Sequence, residues 1–141
     1  MEVTDRMLEY LARSPDGRLI NVCSQAGRLS QLTSDDLKAQ LASPTLTRDD
    51  IKAAGAKFVD DILHDRHLDA GWSNSMYGVS KLVETAYTRI LAQEAAGSKL
   101  FVAGCCPGYG ATDMSSHKGP RNAAKGAEGI AQLATCPREE L

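Results

Sequence analysis

Tyr77 and Lys81 stand four residues apart in Tyr77-Gly78-Val79-Ser80-Lys81, a spacing that places a phenol and an ammonium on one face of a helix. A cation held there favours the phenolate and makes Tyr77 a proton donor near neutral pH. The same short pattern also arises as an exposed lysine beside a half-buried tyrosine, so its surroundings decide. Two further segments carry reactive or permissive residue types. Ser24 closes the apolar run Arg18-Leu19-Ile20-Asn21-Val22-Cys23. Leu100-Phe101-Val102-Ala103 leads into Gly104-Cys105-Cys106-Pro107-Gly108-Tyr109-Gly110-Ala111-Thr112, where glycines let backbone approach a ligand closely.

The elements that must position these groups follow from periodicity. Residues 2–13 read as an amphipathic helix through Val3, Met7, Leu8 and Leu11, stopped by Pro15-Asp16-Gly17. Residues 18–24 and 100–103 read as short buried strands. The principal helix runs from about Ser75 to Ala96, before Gly97, with Val79, Leu82, Val83, Ala86 and Ile90 as its buried stripe. Tyr77, Lys81 and Thr85 occupy the adjacent face. Strand, helix and strand imply a right-handed parallel crossover, and ligands of such sheets bind beyond the carboxyl ends of the strands. Ser24 and the Pro107-Gly108 loop are therefore expected at that edge, facing the start of the Tyr77 helix. Residues 113–123 read as a mobile loop and 125–134 as a last helix.

Between Ser24 and Tyr77 lies a long segment, roughly 29–70, that is predicted to be helical. Ser34-Asp35-Asp36-Leu37 and Thr47-Arg48-Asp49-Asp50-Ile51 are helix starts, with the aspartates at the positive end of the helix dipole. His64 and His67, near Asp60, Asp61, Asp65 and Asp69, read as a solvated helix face, and no metal site is expected. Trp72 is placed as a staple-like contact at the entry of the principal helix.

A formal net charge of −2 and the lack of a basic run argue against a nucleic-acid partner. No apolar stretch approaches the roughly 18 residues needed to span a bilayer, so no membrane role is expected. The four cysteines form no CxxC pair, which disfavours a zinc site or disulfide framework and suggests a cytoplasmic protein.

The strand end NVCS, the helix start YGVSK and the loop CCPGYGATDM, in that order, resemble the short-chain dehydrogenase/reductase family, and within it the monomeric NADPH-dependent carbonyl reductases. The tract Gly71-Trp72-Ser73-Asn74-Ser75-Met76-Tyr77 and the 53 residues separating Ser24 from Tyr77 point to that group, since most members place the two far closer. The resemblance implies an α/β fold: an incomplete Rossmann-like doubly wound parallel sheet, with residues 1–141 forming the C-terminal part of one reductase domain that carries a helical insertion. It also implies roles. Ser24 would bond the substrate carbonyl oxygen, Tyr77 would protonate it, and Lys81 would hold the nicotinamide ribose. Pro107, Gly108, Ala111 and Thr112 would lie along the NADPH, with Cys106 and Tyr109 at the substrate mouth. The substrate would be a small ketone, aldehyde or quinone. The insertion would cover the face on which other members dimerise, leaving a monomer.

The departures from that family are as specific as the matches. No TGxxxGxG loop and no NNAG segment occur. Gly104-x-x-x-Gly108-x-Gly110 satisfies the bare glycine pattern, but Pro107 interrupts it and the loop is already accounted for. The catalytic asparagine expected on the helix before Ser24 would fall upstream of Met1, and the closing Gly-x-Phe-Val strand has no counterpart. Two convincing strands make a small sheet. The expectation is therefore a reductase fragment that is inactive alone and in which NADPH binding is doubtful. The alternative is a non-catalytic remnant acting as a binding or interaction protein through its sheet edge.

Overall fold

The computed structural model describes residues 1–140. Helix α1 (Glu2–Arg13) leads into strand β1 (Arg18–Val22), followed by two 3-10 turns at Gln25–Gly27 and Leu29–Gln31. Helices α2 (Asp35–Ala42) and α3 (Arg48–Leu63) form the insertion, and α4 (Met76–Glu94) is the principal helix. Strand β2 (Phe101–Cys105), the short pair β3 (Gly110–Ala111) and β4 (Arg121–Asn122), and helix α5 (Ala123–Thr135) complete the chain. β1 and β2 run parallel in a register from Arg18 opposite Phe101 to Val22 opposite Cys105, so both strands end at one edge of the sheet. This is the α/β arrangement expected from the sequence.

The two strand ends differ from expectation in opposite directions. β1 stops at Val22 and not at Ser24: Cys23 makes the last bond to β2, donating its N–H to the Cys105 carbonyl, and the chain then turns into the 3-10 segment, where Gly27 donates to the Ser24 carbonyl. β2 runs on to Cys105, carrying Gly104 where a Cβ would stand 2.9 Å from the Cys23 sulfur. The side chain is missing where the strands crowd.

The insertion begins as predicted. Ser34 Oγ accepts the Leu37 N–H, and Thr47 forms a reciprocal capping box with Asp50. Its apolar face, including Leu41, Ile51, Ala54 and Phe58, packs on Val79, Leu82, Val83, Ala86 and Ile90 of α4, so the expected buried stripe of α4 is buried. Tyr87, Thr88 and Leu91 are buried as well, because the helix meets both the sheet and the insertion. Arg89 adds a second tie, donating from its guanidinium to the carbonyls of Leu41, Ala42 and Ser43 at the end of α2.

Three sequence readings need correction. Asp61 and His67 do not sit on a solvated face: they are 1% and 8% exposed. Trp72 is not a staple at the entry of α4. It is buried against Phe58, with ring centroids 5.2 Å apart, and its indole N–H donates to Asp61 Oδ2 at 3.0 Å. The chain after α3 folds back over that helix, and Asp61 is the polar post it folds around, also bonded by Lys57 and Arg66. In α1, Val3 and Met7 are exposed. Asp5 bonds Tyr87, Arg48 and Lys52 and so turns the helix to place Leu8 against the core.

These networks set the acid behaviour. Hydrogen bonds from Lys57 and then Arg66 hold the Asp61 carboxyl at about 2, below its ordinary 3.8, and those from Lys52 and Tyr87 hold Asp5 at about 2. Both folded values are depressed, so the stability they confer is fully present above about pH 4 and is lost as pH falls toward about 2. The thermal midpoint is expected to stay level from neutrality to about pH 4, fall below it, and fall less in Asp61→Asn. A wild-type decline complete by about pH 5 would contradict this.

Candidate active site

Ser24 lies at the carboxyl end of β1, where its Oγ accepts the Ala26 N–H at 3.1 Å. That bond uses a lone pair and leaves the hydroxyl hydrogen for a second partner. Gly27, three residues on, is buried against α4: a Cβ there would stand 2.6 Å from the Lys81 carbonyl. The turn that follows Ser24 thus presses on the helix that carries Tyr77 and Lys81.

Tyr77 occupies the first turn of α4, which Ser75 caps by accepting the Gly78 N–H at 2.9 Å. The tyrosine is 49% exposed. Lys81, one turn on, reaches back to the sheet: Nζ donates to the Val22 carbonyl at 2.7 Å and to Glu84 Oε2 at 2.6 Å. The Glu84 carboxylate holds this ammonium above the ordinary lysine range, with smaller contributions in the same direction from Tyr77 and Cys23, against the opposing effect of burial. A fixed positive charge therefore stands between the end of β1 and the Tyr77 face.

The loop after β2 is braced by Ser115 and Arg121, which belong to the 113–123 segment that the sequence reads as a mobile loop. Gly108 adopts φ +79°, the left-handed region that glycine supplies without strain. Arg121 donates to the Pro107 carbonyl at 3.2 Å, and β3 pairs with β4 through Gly110–Arg121 and Ala111–Asn122. Ser115 Oγ donates to the Gly110 carbonyl and accepts the Thr112 N–H. Asn122 then caps α5 by accepting the Lys125 N–H at 2.7 Å.

Two cavities flank the strand end. One of about 380 Å³ has Ser24, Gln25, Thr88 and Cys106 in its wall. The other, about 500 Å³, is lined by Asn21, Lys81 and Glu84 together with Phe58 and Val79. The structure thus brings Ser24 and Cys106 to one cavity and Lys81 to its neighbour. Tyr77 and Tyr109 are exposed, while Pro107, Gly108, Ala111 and Thr112 share the braced loop. Sequence reasoning missed Gly27, Gln31 and Glu84. Glu84 was findable from its place three residues after Lys81; Gln31 carried no local signal. Among the described residues no group of three His, Cys, Asp or Glu side chains is placed to hold a metal ion, and no helix is long and apolar enough to cross a membrane.

No protein-family model matches the chain. Among curated proteins, carbonyl reductase [NADPH] 1 of Sus scrofa is 36% identical over 130 residues, a stretch covering 89% of this chain and 45% of that protein. Carbonyl reductase [NADPH] 3 of Homo sapiens is 39% identical over 128 residues, covering 87% and 46% respectively. Among solved structures, salutaridine reductase from Papaver somniferum superposes with a TM-score of 0.87 at 29% identity, over 96% of this chain and 46% of that one. Menthone neomenthol reductase from Mentha piperita gives a TM-score of 0.76 at 27% identity. The chain spans less than half the length of these relatives.

Proposed function

We propose that this chain, a partial-length homologue of the carbonyl reductases of the short-chain dehydrogenase/reductase family, carries the proton-donating half of an NADPH-dependent carbonyl reductase site. The observation that carries the reading is the convergence of Ser24 and Lys81 on the end of β1. Lys81 bonds the Val22 carbonyl two residues before Ser24, and Gly27 presses the Ser24 turn onto Lys81's own helix. Residues far apart in sequence are thereby held at one sheet edge, where ligands of parallel α/β sheets bind.

NADPH, when bound, would supply a hydride to the carbonyl carbon. The chain's own residues do the rest. Ser24, its lone pair already engaged by Ala26, directs its O–H at the carbonyl oxygen of a ketone, aldehyde or quinone. Tyr77 transfers its phenolic proton to that oxygen as negative charge develops there, giving the alcohol. Lys81 would stabilise the phenolate left behind and offer to the nicotinamide ribose the one N–H that the Val22 carbonyl and Glu84 leave free. Cys106 and Tyr109 border the substrate side.

The residues present fit one end of the cofactor. Gly108, at positive φ beside Pro107 with the Arg121 guanidinium packed on it, would let backbone lie against the nicotinamide, and Ala111 and Thr112 would continue along the same loop. The pyrophosphate end has no matching cradle in the sequence, because no glycine-rich loop opens a helix N-terminus. The insertion packed on α4 supports a monomeric enzyme, and residues 1–141 are read as part of a single reductase domain.

Fluorescence titration with NADPH tests this division. The 141-residue chain alone is expected to show no saturable binding. The chain fused to the part of the pig carbonyl reductase that it does not match is expected to bind saturably. Micromolar binding by the chain alone, or none by the fusion, would overturn the reading.

A further inference from the structure

We propose that Gln31 is a positioning residue whose side-chain amide fixes the Ser24 turn onto the first turn of the Tyr77 helix. The proposal rests on the roles given to Ser24 and Tyr77 above. Gln31 ends the 3-10 turn Leu29–Gln31. Its Nε2 donates to the Ala26 carbonyl at 2.7 Å and to the Gly78 carbonyl at 3.0 Å. A primary amide has two N–H donors, and both are used to join segments 52 residues apart in sequence.

Three further features show that this junction is built for close approach. Gly27 lacks the Cβ that would collide with the Lys81 carbonyl at 2.6 Å. Gly78 lacks the Cβ that would stand 2.4 Å from Gln31 Oε1. The Ala26 residue is held from both sides, its N–H by Ser24 Oγ and its carbonyl by Gln31. Displacing Gln31 therefore releases the partner that orients the Ser24 hydroxyl. It also loosens the seat of that turn on the helix bearing Tyr77 and Lys81.

Gln31 is anchored in turn by the insertion. Leu32 next to it is buried, and Thr33 donates to the Gly71 carbonyl at 2.9 Å, closing the two ends of the insertion on each other just before α4 begins. The insertion thus does more than cover a helix face. Its first residues set the geometry between two candidate catalytic groups on separate elements.

Gln31→Glu separates positioning from space-filling. The two side chains have nearly the same shape, but a carboxylate turned toward two carbonyl oxygens has acceptors where the amide has donors. Gln31→Met keeps the length without either. Amide hydrogen exchange and NADPH-dependent quinone turnover would be measured on the fusion for both variants. Amides of Ala26 and Gly27 are expected to exchange faster. Turnover should fall about tenfold or more, as misplacement of a catalytic group by a fraction of an ångström implies, with the KM for NADPH unchanged and the unfolding midpoint close to wild type. Wild-type turnover in Gln31→Glu would overturn the proposal. So would a uniform loss in which turnover, NADPH affinity and unfolding midpoint collapse together in both variants, since that is the mark of a structural residue. If the unmutated fusion does not turn over at all, the parent reading fails. The exchange at Ala26 and Gly27 then still decides whether the clamp exists.

Discussion

Tyr77→Phe is expected to lower turnover of the fusion by about 100-fold or more while leaving NADPH affinity within about twofold of wild type. The substitution keeps the ring and removes only the proton that Tyr77 is proposed to deliver. It disturbs little else, because Tyr77 is half exposed and the helix start is held by the Ser75 cap and by Gln31. Loss of an interaction made only in the transition state lowers kcat and kcat/KM together, and that parallel fall is the signature to look for. A fall in NADPH affinity of the same size would place Tyr77 in cofactor binding alone.

The largest stability effect is expected at Trp72. Its side chain is buried between Phe58 and the Asp61 network, its backbone N–H donates to the His67 carbonyl, and Gly71 before it closes the insertion by accepting the Thr33 N–H. Trp72→Ala should cost about 3–5 kcal/mol, the range for removing a buried large aromatic residue. Trp72→Phe should cost less, because it retains ring packing and gives up chiefly the bond to Asp61, which keeps Lys57 and Arg66. Urea unfolding of the two variants measures the difference. Equal costs would mean that the hydrogen bond, and not the packing, carries the residue's contribution. Because Trp72 lies three residues before the Ser75 cap, Trp72→Ala should also disorder the entry to α4 and reduce turnover as a secondary effect.

The sequence announced the elements that carry strong local signals. Pro15-Asp16-Gly17, the Ser34 and Thr47 caps and the apolar stripe of α4 each encode their structure within a few residues, and each appears where it was expected. What stayed hidden depends on contacts between distant segments. Nothing local to Asp61 or His67 distinguishes them from solvated helix residues; only the fold-back of Trp72 over α3 buries them. Val3 and Met7 look like a core stripe, yet the bonds of Asp5 to Tyr87, Arg48 and Lys52 rotate α1 and leave them outside. At the candidate site, Tyr77, Lys81 and Ser24 stand out in the sequence because their types and order are unusual in combination. Gln31 was not, since a glutamine becomes a clamp only when two carbonyls from different elements arrive beside it. The Ser, Gly, Lys and Pro content of residues 113–123 predicts a mobile loop, whereas Ser115 and Arg121 within it make bonds to the loop after β2 that composition does not reveal.

The most direct test of the account is the rate at which the fusion oxidises NADPH in the presence of a quinone, followed by the loss of absorbance of the reduced nicotinamide, with Tyr77→Phe measured beside it. The account predicts quinone-dependent oxidation by the fusion, one hydroquinone formed per NADPH consumed, and near loss of that rate in Tyr77→Phe. A fusion that binds NADPH but oxidises it no faster than buffer, or a Tyr77→Phe variant as fast as its parent, would contradict it.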